Sequence, residues 1–161
     1  KFIIALFTAI KAAPDLAGVT CFVDSNGHLG AGSWARLLPV TDGVMLDIKA
    51  FDTDSHLALT GRGNAKSLAS VRIVQAAGKL YELRYLMVPG QNDRDQDIAA
   101  LIGLAQEQGD DLRVKLNAYQ HHGVKGPARD WPKMPRDGIE ATATRLRAAG
   151  LSKVVTPVVY L

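Results

Sequence analysis

In Val44-Met-Leu-Asp-Ile-Lys-Ala-Phe-Asp52, a short apolar run gives way to Asp47 and Lys49, and then to a capped helical turn over 52–58. An apolar run this short, bounded by polar residues, predicts a buried strand over 44–48. Lys49 follows Asp47 by two positions, so on extended backbone both side chains point to the same side.

The same strand-then-helix unit recurs on both sides of that stretch. Upstream, Val19–Val23 predicts a strand closed by the turn Asp24-Ser25-Asn26-Gly27. It is preceded by a helical run from Phe2 to Ala13 that Pro14 ends, and followed by a short helix over 30–38. Downstream, Asn64 is placed to cap a helix over 65–77, with Gly78 as its stop. Strands are predicted over 81–88 and 112–118, with an amphipathic helix over 95–107 between them. A Gly/Pro-rich loop over 123–136, a helix over 137–149 and a last strand over 154–160 complete the chain. Strands alternating with helices imply right-handed crossovers and a parallel sheet. The mostly apolar strands suggest a sheet covered by helices. No internal repeat or linker divides the chain, so 1–161 reads as a single α/β domain.

Composition narrows the class. The chain has 161 residues, enough for one real core, with 47% hydrophobic and 22% charged residues. A net charge of +3, dispersed along the chain, argues against a dedicated nucleic-acid surface. The longest apolar stretch, Phe2–Ile10, is too short to span a membrane. The single cysteine, Cys21, excludes an internal disulfide and suggests a reducing, cytoplasmic setting; within an apolar strand it reads as a core residue. The chain opens at Lys1 inside a helical run, which suggests part of a longer protein.

Ligands of parallel α/β folds sit at the carboxyl edge of the sheet. Here that edge carries Asp24 to Gly27, Asp47 with Lys49, Pro89-Gly-Gln-Asn-Asp93, and Asn117 to His122. Asp24 and Asp47 follow neighbouring strands, and two carboxylates held together call for a cation or a shared proton. Two turn aspartates facing water would give the same sequence. The Asp47–Lys49 pair suits a zwitterion or ribose hydroxyls, or a plain salt bridge. Arg84, mid-strand, needs an anionic partner if it is buried. His121 and His122 are consecutive and point apart, a poor metal pair; one imidazole at the mouth of the site is the better reading. His28 and His56 follow turns and read as exposed. Gly61-Arg-Gly-Asn64 could hold an anion, though a turn that starts a helix explains it.

Read together, several strings carry a resemblance: Thr20-Cys-Phe-Val-Asp-Ser-Asn-Gly27, Val44 to Asp52, His56-Leu-Ala-Leu-Thr-Gly61, Leu83-Arg-Tyr-Leu-Met-Val-Pro-Gly-Gln-Asn-Asp93 and Leu116-Asn-Ala-Tyr-Gln-His-His-Gly123. In this order they resemble the glycyl-radical-enzyme activases, the pyruvate formate-lyase-activating group of the radical S-adenosylmethionine (AdoMet) superfamily. The stretch from His121 to Trp131 looks most like the YjjW-type branch. The resemblance implies a partial (β/α)6, TIM-like barrel, here lacking its N-terminal strands. It implies a [4Fe–4S] cluster that cleaves AdoMet to a 5′-deoxyadenosyl radical. That radical takes hydrogen from a glycine of a partner glycyl radical enzyme, with a flavodoxin or ferredoxin as electron donor.

Carried over position by position, Asp24, Ser25, Met45 and Asp47 would line a monovalent-cation site beside AdoMet. Asp47, Lys49 and Arg84 would touch AdoMet or the mouth of the site. The relatives carry a histidine after the tyrosine of the last strand; here Gln120 follows Tyr119, and His121 and His122 come one and two places later. The family's three-cysteine cluster motif and the Gly-Gly-Glu grip on the AdoMet amino group are absent; both are expected upstream of Lys1, which would leave this fragment inactive. Competing readings are a ribonucleotide-reductase activase, a non-catalytic α/β module binding a nucleotide or small anion, and a metal-dependent hydrolase using Asp24, Asp47 and His121.

Overall fold

The computed structural model describes residues 1–109 and 111–160. In chain order it forms α1 (Phe2–Ala12), β1 (Phe22–Ser25), α2 (Ala31–Leu37), β2 (Gly43–Ile48), α3 (Thr53–Thr60), α4 (Ala65–Ala76), β3 (Leu80–Met87), α5 (Asp95–Gln108), β4 (Arg113–Ala118), α6 (Arg136–Ala148) and β5 (Val154–Val155). The strands form one parallel sheet in the order β1-β2-β3-β4-β5, and among the described residues it does not close on itself. Sequential order with every strand parallel is the winding of a β/α barrel, here as an open arc. No helix among the described residues is long and apolar enough to cross a membrane.

Alternation along each strand separates the two faces. Val44, Leu46, Ile48, Leu83, Tyr85, Val114 and Leu116 are buried under the helices and join Val71, Ile98, Leu101, Ile139 and Leu146 in one core. The opposite face carries no helix and is polar. Register aligns Asp24, Met45, Glu82 and Arg113 in one layer across it, and Asp47, Arg84 and Lys115 in the next. The expectation that helices cover the sheet therefore holds for one face only. Inward-facing layers are how barrel interiors are built, and here that interior lies open.

Other expectations shift locally. The first strand starts at Phe22 rather than Val19, because the Asp42 carboxylate takes the Cys21 backbone N–H at 2.6 Å. Cys21 is buried, as expected of a core residue. The last strand is only Val154–Val155; Pro157 has no N–H to extend a ladder. The 123–136 loop contains a 3-10 turn, Gly126–Asp130, before α6. Asn64 does not cap α4 with its side chain; it is buried and donates to the carbonyls of Phe51 (2.6 Å) and Ala50 (3.4 Å), tying the end of the β2 loop to the start of α4.

Candidate cofactor site at the carboxyl edge of the sheet

The loop after β1 is docked onto α4. Ser67 Oγ donates to the Asn26 carbonyl (2.8 Å) and Ser70 Oγ to the Gly27 carbonyl (2.6 Å), while Trp34 Nε1 donates to Ser70 Oγ (2.7 Å). Gly27 is required twice over: its φ is +69°, and a Cβ there would lie 3.0 Å from Ser67 Cα. The result is a rigid Asp-Ser-Asn-Gly turn that sets where Asp24 and Ser25 stand.

The open face is organised around Arg84. Its Nη1 donates to Asp24 Oδ2 (2.6 Å), its Nε to Glu82 Oε1 (2.6 Å) and its Nη2 to Met45 Sδ (2.8 Å). Glu82 Oε2 accepts from Arg113 Nε (2.6 Å). A chain of charges thus runs Arg113–Glu82–Arg84–Asp24 from β4 to β1, with Met45 of β2 beneath it. Burial alone would push the Glu82 carboxyl up; the hydrogen bonds from Arg84 and Arg113 outweigh it and hold it below the usual carboxylate range. Burial would lower the Arg84 guanidinium, but the bonds to Glu82 and Asp24 raise it.

Asp24 and Asp47 do not form a carboxylate pair. They stand one layer apart, each with its own cation: Asp24 with Arg84, Asp47 with Lys49 at 2.8 Å. Ser25 Oγ accepts from the Gly27 N–H at 3.1 Å. Among the described residues no group of three His, Cys, Asp or Glu could hold a metal ion.

Lys49 is held from behind. Asn92, fully buried, donates from Nδ2 to the carbonyls of Lys49 and Leu86 (2.6 Å each) and accepts the Val88 N–H at Oδ1 (2.7 Å). One side chain thereby stitches the carboxyl ends of β2 and β3 together. Tyr85 donates its hydroxyl to the Asn92 carbonyl (2.7 Å), and burial pushes that hydroxyl's pKa well up. Sequence reading marked 89–93 only as a polar strand end. The spacing of Asn92 after β3 gives no sign that its amide turns back into the sheet.

Beside Lys49 lies a cleft of about 500 Å³ whose walls include Leu59, Leu86, Val88, Tyr119 and Trp131. The loop after β4 folds over it: the Tyr119 hydroxyl donates to the Ala128 carbonyl. Neither His121 nor His122 lines the cleft. Both are exposed, and the His121 ring bonds the Trp131 carbonyl through Nε2 at 2.7 Å. Gln120, next after Tyr119, has a buried Oε1 with no partner among the described residues. His56, expected on the surface, is 5% exposed.

No protein-family model matches the chain. The fold is that of radical-AdoMet proteins. A domain of a pyruvate-formate lyase-activating enzyme from Bacteroides vulgatus superposes with TM-score 0.75 at 16% identity, covering 97% of this chain and 91% of that one. A radical SAM methyltransferase from Sphaerobacter thermophilus gives 0.69 at 18%, covering 93% and 44%. In sequence, the chain is similar to pyruvate formate-lyase-activating enzymes. That of Streptococcus mutans is 36% identical over 105 residues, 62% of this chain and 39% of the relative. That of Listeria monocytogenes is 29% identical over 146 residues, 87% and 57%. The chain thus spans about two-fifths to three-fifths of the length of these relatives.

Proposed function

We propose that this chain is the AdoMet-facing part of an activase that, as a full-length protein, generates a glycyl radical on a partner enzyme. The observation that carries the reading is the adjacency, at one sheet edge, of an aromatic-walled apolar cleft and the anchored cation Lys49. A zwitterionic nucleoside such as AdoMet needs both. The cleft volume falls within the range of about 300–1,000 Å³ usual for small-molecule sites.

Lys49 would hold the AdoMet carboxylate and Asp47 its ribose hydroxyls or amino group. Arg84 and Asp24 would line the mouth. The buried, orphaned Gln120 Oε1 would suit the exocyclic amino group of an adenine, although Gln120, like His121 and His122, does not line the cleft. Bound AdoMet would supply the one-electron chemistry that removes a hydrogen atom from glycine. The residues of this chain would bind and orient it, and the loop after β4 would exclude water. A monovalent cation at Asp24, Ser25, Met45 and Asp47 would compete with Arg84 for Asp24 and Met45. Its sign would be AdoMet affinity that rises with added potassium or sodium; indifference to both removes it.

The [4Fe–4S] cluster does not fit these residues. It needs thiolates on at least three sides, and the one cysteine, Cys21, is buried. Its ligands are therefore proposed to lie outside these 161 residues, and the fragment alone to be inactive. A flavodoxin or ferredoxin would supply electrons. The test uses the full-length protein, reconstituted anaerobically and reduced. It should form 5′-deoxyadenosine from AdoMet, and Lys49→Ala should raise the AdoMet Kd by about tenfold or more, the loss of one charge-assisted contact. No 5′-deoxyadenosine from a cluster-loaded protein would defeat the reading.

A further inference from the structure

A second cavity at the same edge, about 270 Å³, is lined by Asn26, His28, Lys49, His56, Arg62 and Ser67, with Thr60 beside them. Its chemistry differs from that of the cleft: no carboxylate lines it. It has room for a tetrahedral oxyanion and several waters, at about 30 Å³ per water.

Three features converge there. The first is cationic. Lys49 reaches it, and the Arg62 guanidinium makes no hydrogen bond or ion pair among the described residues. The second is the start of α4, a helix of 12 residues with no side-chain cap, because the Asn64 amide is spent on Phe51 and Ala50. Ser67, in the first turn of α4, faces the cavity. An uncapped helix N-terminus favours negative charge.

The third is His56. Its Nδ1 lies 2.7 Å from the Arg62 carbonyl, which can only accept, so Nδ1 carries the proton. In the neutral ring the lone pair then sits on Nε2. His56 is 5% exposed, and Nε2 has no partner among the described residues. The cavity thus combines cationic donors with one open acceptor on a largely buried ring.

We infer that this cavity binds a phosphate-class oxyanion that still carries an O–H. Its charged oxygens meet Arg62, Lys49 and the α4 N-terminus, and its O–H donates to His56 Nε2. Sulfate has the same shape and no proton near neutral pH, so it would turn a lone pair toward Nε2 and bind less well. The inference shares Lys49 with the AdoMet reading, but its test contains no AdoMet, so the two fail separately.

The full-length protein is titrated near neutral pH with inorganic phosphate and, at matched ionic strength, with sulfate. The His56 and His28 ring resonances are followed by NMR. Phosphate should shift both saturably, and sulfate should need about tenfold more, the difference of roughly one hydrogen bond to a charged partner. Arg62→Ala should weaken phosphate by about tenfold or more while leaving the ligand-free Tm unchanged, since its side chain makes no bond that folding uses. Ring resonances that do not move, equal responses to phosphate and sulfate, or an Arg62→Ala protein that binds phosphate normally would each overturn the assignment.

Discussion

Glu82 is 3% exposed on a face of the sheet that otherwise lies open, and both of its oxygens receive an arginine. Its folded carboxyl sits below the usual range, so the sign of its pH dependence follows. The contribution is complete above the unfolded value of about 4.3 and is lost as pH falls through the lower folded value. The stability gap between the wild type and Glu82→Gln, measured by urea unfolding, should therefore be largest near neutrality and shrink below about pH 4. A gap that is constant with pH would mean that the two arginines do not hold the charge. Asn92→Ala would orphan two part-buried carbonyls and a buried N–H, and should cost about 2–4 kcal/mol. By freeing Lys49 it should also weaken AdoMet binding, an effect that a purely structural asparagine would not have. Arg84's need for an anion and the Asp47–Lys49 pair were both legible in the sequence, because each follows from spacing and charge alone. Glu82, two positions before Arg84 on the same strand, has that same spacing and was passed over; Asp24 and Arg113 depend on register between strands. Asn92 and the burial of His56 escaped for the same reason.

At the scale of elements, the turns after strands carry the site, and α4 holds the first of them. Strand and helix positions were largely readable from apolar runs and Gly or Pro stops, and their order gave the parallel sheet. Ser67 and Ser70 read as ordinary helix residues, yet each bonds a backbone carbonyl of the Asp-Ser-Asn-Gly turn. Such contacts have no sequence period to betray them. The turn can be tested by pairing two glycines of similar φ. Gly27→Ala meets both an unfavourable φ of +69° and the α4 backbone, whereas Gly123→Ala, at φ +75°, meets only the first. The left-handed conformation costs about 1–2 kcal/mol in each. Gly27→Ala should be more destabilising in urea by a further 1 kcal/mol or so, in the range of an overpacked contact. Equal losses would mean that the turn is not pressed against α4.

The whole molecule is an open arc of five parallel strands with helices on one face and a layered polar interior on the other. Short apolar strands announced the arc, and the suggested cover of helices lies on one face of it. Alternation within strands of four to eight residues is masked when interior positions hold Met45, Leu86 and the stem of Arg84 beside true core residues. Phe2 (75% exposed), Ile3 and Leu6 leave an apolar stripe on α1, in keeping with a unit that spans only part of its relatives' length. The account places this arc's carboxyl edge against AdoMet within a longer activase. The most direct measurement is electron paramagnetic resonance of the partner glycyl radical enzyme after anaerobic incubation with the full-length, cluster-loaded protein, a reductant and AdoMet. The account predicts an organic radical signal that disappears when AdoMet is omitted and that Lys49→Ala strongly diminishes. A protein that cleaves AdoMet yet leaves the partner without such a signal would contradict it.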